Sequence, residues 1–458
     1  MEKHHHHERS TFSGKLGFVL SAAGASVGLG NIWRFPYLAA TYGGGIFLLI
    51  YIILALTFGY SMIIAETALG RMTRKSPVGA FGKFGKSKWL SFGGWINAVI
   101  PILIVPYYSV IGGWVIKYLI EYVKGNSQKL AEDGYFSAFI SDGTSTEICF
   151  LVFALLTLAI IFAGVRNGVE RVSKFMMPIL VFLSVLIAIY SVTRPGALAG
   201  VKYFLVPNPA NFSWMTVVAA MGQMFYSLSI AMGILVTFGS YMKRDVSIEG
   251  STTNVEIFDT AIAIMAGLMI IPAVFAFSGG DPDTLQAGPA LMFITIPKVF
   301  ANMGFGTPIG IIFFLLVLMA ALTSSIALTE SAVSTFQDEL RWPRKGATVI
   351  VGIIMVILGS LSSLGYGPLA FVKIIGMQFL DFFDFLTNSV MMPIAAFATC
   401  ILISRVIGVG KIEEEVEADG GSFKRKKVFR FMIRYLCPIF TVIILLSSVA
   451  NAFGWISM

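Results

Sequence analysis

The run Gly24-Ala25-Ser26-Val27-Gly28-Leu29-Gly30-Asn31-Ile32-Trp33-Arg34-Phe35-Pro36 interrupts what would otherwise be one apolar membrane helix. Each glycine weakens a helix by about 1 kcal/mol relative to alanine, and three stand within seven residues. Backbone at membrane depth has no water to bond, so irregular backbone there must line a protein-enclosed site rather than face lipid. A break followed by Asn31 and Arg34 therefore predicts a helix that opens its carbonyl and amide groups to a ligand. Glycines also let membrane helices approach closely, but packing alone leaves the polar residues beside the break unexplained.

The rest of the chain supports a membrane setting. It has 458 residues, 56% hydrophobic and 13% charged, with a mean hydropathy of +0.82. Apolar stretches of spanning length, about 20 residues, fall near 15–38, 44–69, 91–122, 148–164, 170–193, 213–241, 257–277, 307–335, 346–363, 371–403 and 431–453. The expectation is an all-α polytopic membrane protein with eleven transmembrane helices. The net charge of +8 is explained by position. Arg71, Arg74, Lys75, Lys83, Lys86, Lys88, Arg166, Arg171, Lys174, Lys243, Arg244, Arg341, Arg344, Lys345, Arg405, Lys411, Lys424 to Lys427 and Arg430 fall at alternate loops. The opposite loops hold few cations, so the positive-inside rule puts the N-terminus in the cytoplasm. Eleven spans then place the C-terminus outside, in a multi-pass plasma (inner) membrane protein. Cys149, Cys400 and Cys437 are scattered and suggest neither a disulfide framework nor a metal site. His4 to His7 could chelate metal, but read more simply as a tag or a disordered tail. With no His elsewhere and no carboxylate or cysteine cluster, the chain is not expected to be an enzyme. No cleavable signal sequence is expected, because the first apolar segment is too long.

The sixth span repeats the interruption of the first. It carries Gly222-Gln223-Met224-Phe225-Tyr226-Ser227-Leu228-Ser229-Ile230-Ala231-Met232-Gly233. Spans 1–5 and 6–10 then form a 5+5 inverted repeat, since an odd number of helices per repeat reverses orientation. Broken helices at corresponding places point to a midplane transport site. The division is a tail with an inner gate (1–14), a first repeat (15–193), a second repeat (213–403), a cytoplasmic connector (404–430), and the last helix with a short outer C-terminus (431–458). Residues 123–147 read as an outer loop and 278–306 as a partly helical outer cover. The Glu-rich then Lys-rich stretch 411–427 reads as solvated, with Lys424 to Lys427 serving orientation or, less simply, a lipid or calmodulin-like contact.

Gly24–Pro36, Gly222–Gly233, Ala320-Ala321-Leu322-Thr323-Ser324-Ser325 and Tyr107-Tyr108 together resemble the neurotransmitter:sodium symporter family, and in particular its bacterial amino-acid transporters that lack a twelfth helix. The similarity runs from about Arg9 to the last helix. Adjacent hydroxyls in an apolar helix can simply bond their own backbone, and Tyr107 and Tyr108 could be ordinary membrane aromatics. The resemblance implies more. Thr323, Ser324 and the Ala320 carbonyl would join the Gly24 and Val27 carbonyls as one sodium site. A second sodium would sit among Ser26, Asn31, Ser227 and Asp259, beside the substrate carboxylate. An isolated carboxylate in a membrane helix costs about 3 kcal/mol on lenient scales, so Asp259 needs a cation or a proton. Tyr51, Gln223 and Ser227 match positions that hold chloride in animal relatives, where Asn stands in place of Asp259. Ala263 lacks the hydroxyl expected one turn later, and the fixed charge of Asp259 replaces the anion.

Helix dipoles then shape the implied substrate pocket. Amides of Leu29 and Gly30 suit a carboxylate, with Tyr108 donating its hydroxyl to the same group. Carbonyls of Ser26, Tyr226 and Ser227, with the Ser229 hydroxyl, suit an ammonium. Ile104, Tyr226, Met232, Ser324 and Leu328 would line the side-chain pocket, without charge. Ala231 and Met232 stand where a leucine-transporting relative has Gly and Phe. Arg34 and Asp384 match an outer gate pair; Arg9 and Asp338 match an inner pair with Tyr241 beside them. Phe12 stands where relatives carry Trp. Gly168 and Pro178 have the spacing that in relatives marks local unwinding for inward release, and Glu66 would satisfy the unwound backbone of the sixth span. The implied function is sodium-coupled symport of neutral, mainly hydrophobic, L-amino acids by alternating access, with two sodium ions and without chloride. The partners are the amino acid, the bilayer and, as an option, a second copy, with no nucleic acid. A passive channel, or a non-transporting receptor or auxiliary subunit on the same fold, is the alternative. Accumulation against a gradient excludes a channel, and a complete sodium-ligand set argues against a receptor.

Overall fold

The computed structural model describes residues 10–280 and 288–456. Two short helices open it, α1 (Lys15–Ser26) and α2 (Gly30–Thr41), bent 55° to one another. Long apolar helices follow as α3 (Gly45–Thr73), α4 (Lys88–Val123), α5 (Gly143–Phe162) and α6 (Val165–Val192). A second short pair comes next, α7 (Trp214–Ser227) and α8 (Ile234–Ser240). The chain continues as α9 (Ile248–Ser278), α10 (Gly306–Leu340), α11 (Arg344–Leu364), α12 (Phe379–Ile407) and α13 (Lys426–Ala452). Among the described residues, nine helices are long and apolar enough to cross a membrane, and the bent α1–α2 pair makes ten. The α7–α8 pair stands where the sixth span is expected, split by six residues.

α4 and α10 form the spine: most of each apolar stretch is buried (83% and 72%), against 28% for α13, whose outer side meets lipid. α1 packs on α6, α9 and α10, so the first break opens toward the spine. Its cause is local. The Val27 N–H closes the last turn onto the Ala23 carbonyl at 2.7 Å, and Val27 then turns extended (φ −75°, ψ 98°). The Gly28 N–H turns to Asn31 Oδ1 at 3.1 Å, so the Gly24 carbonyl loses its donor one turn on. At the second break, Ser229 (φ 54°), Ala231 (φ 60°) and Gly233 (φ 69°) are left-handed. For the two non-glycine residues this costs roughly 1–2 kcal/mol each, held in place by the fully buried Glu66, whose Oε1 accepts the Ala231 N–H at 2.8 Å.

Two expectations change. Residues 371–378 are not helical; α12 begins at Phe379, after a tight turn in which Ile374 and Met377 bond reciprocally around Gly376 (φ 78°). The connector is not a solvated linker. Val409–Val416 forms a helix that buries Ile412, Glu413 and Val416, because its acids meet arginines: Glu413 takes Arg430 at 2.7 Å and Glu415 takes the buried Arg71 at 2.7 Å. Gly168 lies inside a wide π-helical turn, Val165–Glu170, that leads into the helix carrying Pro178. In the outer cover, Leu291–Ala301 is helical; residues 281–287 lie outside the described part.

Candidate functional site

The two breaks meet at mid-height against α4, α9 and α10. All eleven residues expected to hold substrate line one cavity: Ser26, Leu29, Gly30, Ile104, Tyr108, Tyr226, Ser227, Ser229, Met232, Ser324 and Leu328. Ala25, Gly28, Asn31 and Ile234 complete the wall, and no lining side chain is charged. Close approach explains two of the glycines. A Cβ at Gly28 would stand 2.7 Å from Ser324 Oγ, and one at Gly30 would stand 2.5 Å from the Tyr226 ring. The Leu29 N–H donates to Tyr108 Oη at 3.3 Å, so amide and phenol converge on one end of the cavity. At the other end, the Ser229 hydroxyl donates to the Ala25 carbonyl at 3.0 Å.

Two oxygen clusters flank this cavity. In the first, Ser324 Oγ lies 3.2 Å from the Gly24 carbonyl, 3.2 Å from that of Ala25 and 3.3 Å from that of Val27. Thr323 Oγ1 lies 3.1 Å from the carbonyls of Met319 and Ala320. One hydroxyl has one proton to give, so Ser324 can satisfy only one of its three carbonyls. A buried carbonyl without a donor is costly, and neutral oxygens gathered in this way suit a hard cation. The sequence-derived set of Gly24, Val27, Ala320, Thr323 and Ser324 is thus brought together, with Ala25 added by the structure.

In the second cluster the fully buried Asp259 accepts from Asn31 Nδ2 at 2.8 Å, from the Ser227 hydroxyl at 2.9 Å and from Tyr51 Oη at 3.1 Å. Asn31 Oδ1 accepts the Gly28 N–H at 3.1 Å, and Gln223 Nε2 donates to the Gly30 carbonyl at 3.1 Å. Three neutral donors face the carboxylate and none of them neutralises it. Among the described residues, no group of three or more His, Cys, Asp or Glu could hold a metal ion.

The gate residues lie elsewhere than a closed pair would put them. Arg34 and Asp384 face one vestibule of about 400 Å³, against about 30 Å³ for the inner cavity. Among the described residues they form no ion pair. Arg34 instead sits over the Tyr226 ring at 5.4 Å, while Asp384 accepts from Tyr107 Oη at 3.2 Å and from Asn388 Nδ2 at 2.6 Å. The width of the vestibule keeps the charges apart. On the other side Arg9 falls outside the described residues. Asp338 accepts the Ser76 N–H at 2.6 Å, and Tyr241 donates to the buried Glu330 at 2.7 Å, a carboxylate that also pairs with Arg344. Phe12 is buried edge-on against Phe18, Phe238 and Tyr241, so the smaller ring still anchors the chain before α1. Sequence reasoning passed over Glu330 and Glu170 and read Arg344 only as an orientation charge. Glu330 and Arg344 meet across 14 residues and Glu170 reaches Ser13 across 157; of these contacts only the Glu170–Lys174 pair, four residues apart on one helix, follows a local pattern.

A family model described as the sodium:neurotransmitter symporter family matches residues 9–131 and 136–454. A Bacillus subtilis relative, the uncharacterized sodium-dependent transporter YhdH, is 34% identical over 96% of this chain and 97% of its own. The mouse sodium- and chloride-dependent GABA transporter 2 is 27% identical over 90% of this chain and 75% of its own. The solved structure of MhsT in complex with L-phenylalanine superposes with a TM-score of 0.84 at 35% identity, over 96% of this chain and all of that one. Two broken helices that free their oxygens beside an apolar cavity, and a family match along nearly the whole length, carry one conclusion. This chain belongs to the sodium:neurotransmitter symporter family, and it is a sodium-dependent multi-pass membrane transporter rather than an enzyme.

Proposed function

We propose that the chain carries neutral, mainly hydrophobic L-amino acids inward with two sodium ions, independently of chloride. The observation that carries this reading is the uncharged cavity between the two oxygen clusters. The amides of Leu29 and Gly30 and the Tyr108 hydroxyl receive the substrate carboxylate at a helix N-terminus. The carbonyls of Ser26, Tyr226 and Ser227 receive the ammonium. A basic or acidic side chain finds no counter-charge there and would be buried at high cost. Met232 is flexible enough to fit differently shaped apolar side chains. The phenylalanine bound by MhsT supports a pocket of this type.

Sodium occupies both clusters in this reading, one among Gly24, Val27, Ala320, Thr323 and Ser324, the other among Ser26, Asn31, Ser227 and Asp259. The Asp259 carboxylate stands among Tyr51 and Ser227 and supplies the negative charge for which the chloride-dependent relatives use an anion. Two sodium ions with a zwitterion move two charges. At about 2.3 kcal/mol per charge per 100 mV, a membrane potential contributes about 4.6 kcal/mol, a thousandfold-scale gradient before the sodium gradient is added. Uptake into proteoliposomes tests the proposal. It should need sodium rather than potassium, persist with chloride replaced by gluconate, and be blocked by leucine or phenylalanine. Block by lysine, glutamate or glycine in preference to these would overturn the pocket reading.

A further inference from the structure

α3 and α9 run antiparallel, and polar contacts join them at successive levels. At the second oxygen cluster Tyr51 Oη on α3 donates to Asp259 on α9 at 3.1 Å. At the end nearest the connector, Tyr60 Oη donates to Glu249 Oε1 at 2.8 Å. Between these two levels the link comes from a third segment, where the guanidinium of Arg425 enters from the connector just before α13. Its Nη2 donates to Glu256 Oε2 at 2.7 Å and to Thr253 Oγ1 at 3.1 Å, both on α9. Its Nη1 donates to Glu256 Oε1 at 3.2 Å and, on α3, to the Leu56 carbonyl at 3.2 Å. Leu56 lies in the wide π-helical turn Ala55–Gly59, and such turns break the regular hydrogen-bond ladder. The arginine thus grips α3 where that helix is least regular.

Arg425 is itself held in place. Its backbone N–H and that of Lys424 donate to the two oxygens of the buried Glu249 at 3.1 and 2.9 Å. Its guanidinium lies over the Tyr60 ring at 3.5 Å. Glu256 is buried as well, so its charge depends on this partner. Bonding a carboxylate with two nitrogens while reaching a carbonyl on another helix needs the planar fork of arginine, which lysine lacks. Glu256 and Asp259 are three residues apart on α9 and share one face of it. The Arg425 contact is therefore one helical turn from the carboxylate of the second cluster.

We propose that Arg425 is a positioning residue for sodium at the second cluster: its guanidinium fixes the spacing of α3 and α9 one turn from Asp259, and so keeps Tyr51 on that carboxylate. The inference rests on reading the Asp259 cluster as a sodium site. Arg425 acts through Glu256 and Leu56, without touching the ion, and the connector thereby helps to set the geometry of a site it does not line.

The test uses the full-length protein in lipid nanodiscs, with a radiolabelled leucine probe and a sodium titration. Arg425→Ala should raise the half-saturating sodium concentration about tenfold, the low end of what one hydrogen bond to a charge carries. Maximal binding at saturating sodium should be retained. Arg425→Lys, which keeps the charge without the fork, should fall between. Tyr51→Phe should also raise the sodium requirement, and Arg425→Ala added to it should bring little further shift, because both act on one contact. Added to Thr323→Ala with Ser324→Ala at the first cluster, Arg425→Ala should instead contribute its full shift. A merely structural role would weaken both combinations alike. Unchanged sodium dependence in Arg425→Ala, or full additivity with Tyr51→Phe, would overturn the positioning role. If Arg425→Ala does not fold because Glu256 is left unpaired, Arg425→Leu with Glu256→Leu removes both charges and decides by the same shift. Asp259→Asn separates the two readings: no sodium shift there sinks the second cluster as a sodium site, whereas a shift there without one at Arg425 sinks only the positioning role.

Discussion

Asp259→Asn removes a charge and one acceptor oxygen at a fully buried point of the molecule. The side chain keeps its shape, but one amide oxygen now faces three donors, Asn31 Nδ2, Ser227 Oγ and Tyr51 Oη, that all reach the carboxylate at 2.8–3.1 Å. A sodium ion in the second cluster loses its only anionic ligand from the protein. At about 4 Å and an effective dielectric of about 20, that attraction is worth about 4 kcal/mol, or about three orders of magnitude in sodium affinity. Chloride could recover part of it, since Tyr51 and Ser227 become free to donate to an anion, with Gln223 close by. The assay is a sodium titration of amino-acid binding in chloride and in gluconate, for both proteins. Wild type should give the same curve in either anion. The variant should shift by about a thousandfold in gluconate and by less in chloride. A wild type that needs chloride, or a variant that binds sodium normally in gluconate, would refute the charge-replacement argument.

Thr323→Ala with Ser324→Ala removes two oxygens from the first cluster and should raise the sodium concentration for half-maximal binding by at least tenfold, at about 1.5–3 kcal/mol per hydroxyl on a charge; sodium titration of probe binding reads it. Ala231→Gly relieves the left-handed strain at φ 60° and frees the segment beside Met232. Tryptophan-sized ligands should gain relative to leucine by up to about 1–3 kcal/mol, measured as a ratio of competition constants. In the connector, the hydrogen bond from Arg430 holds the Glu413 carboxyl below its ordinary range. A carboxylate held low stabilises the fold above its unfolded pKa and loses that contribution as pH falls through the folded one. Glu413→Gln should therefore cost about 0.5–1 kcal/mol near neutral pH, the half-exposed arginine being screened, and the difference in melting temperature should shrink in acid as the pH falls through the lowered pKa of the folded state.

Much of the site was legible because its signals are local. Gly24, Gly28 and Gly30 weaken a helix wherever it stands, and a break at membrane depth must enclose something polar. Thr323 and Ser324 mark α10 in the same way, and resemblance to the family then selected eleven lining residues that the structure gathers around one cavity. What stayed hidden was pairing. Arg71 with Glu415 and Arg344 with Glu330 look in the sequence like charges that set orientation, and in the structure they are buried ion pairs. The connector was misjudged for that reason: a charged stretch reads as solvated until its partners are known.

The sequence by itself determined the membrane setting, the order of the apolar helices and the places where two of them break, because hydropathy and glycine act over a few residues. Tertiary structure alone decided which oxygens share a cluster, that Arg34 and Asp384 stand apart across a vestibule, and that Glu170 reaches back 157 residues to Ser13. Those outcomes depend on which helix faces meet and at what register, and the free energy that selects them comes from contacts between segments far apart in the chain.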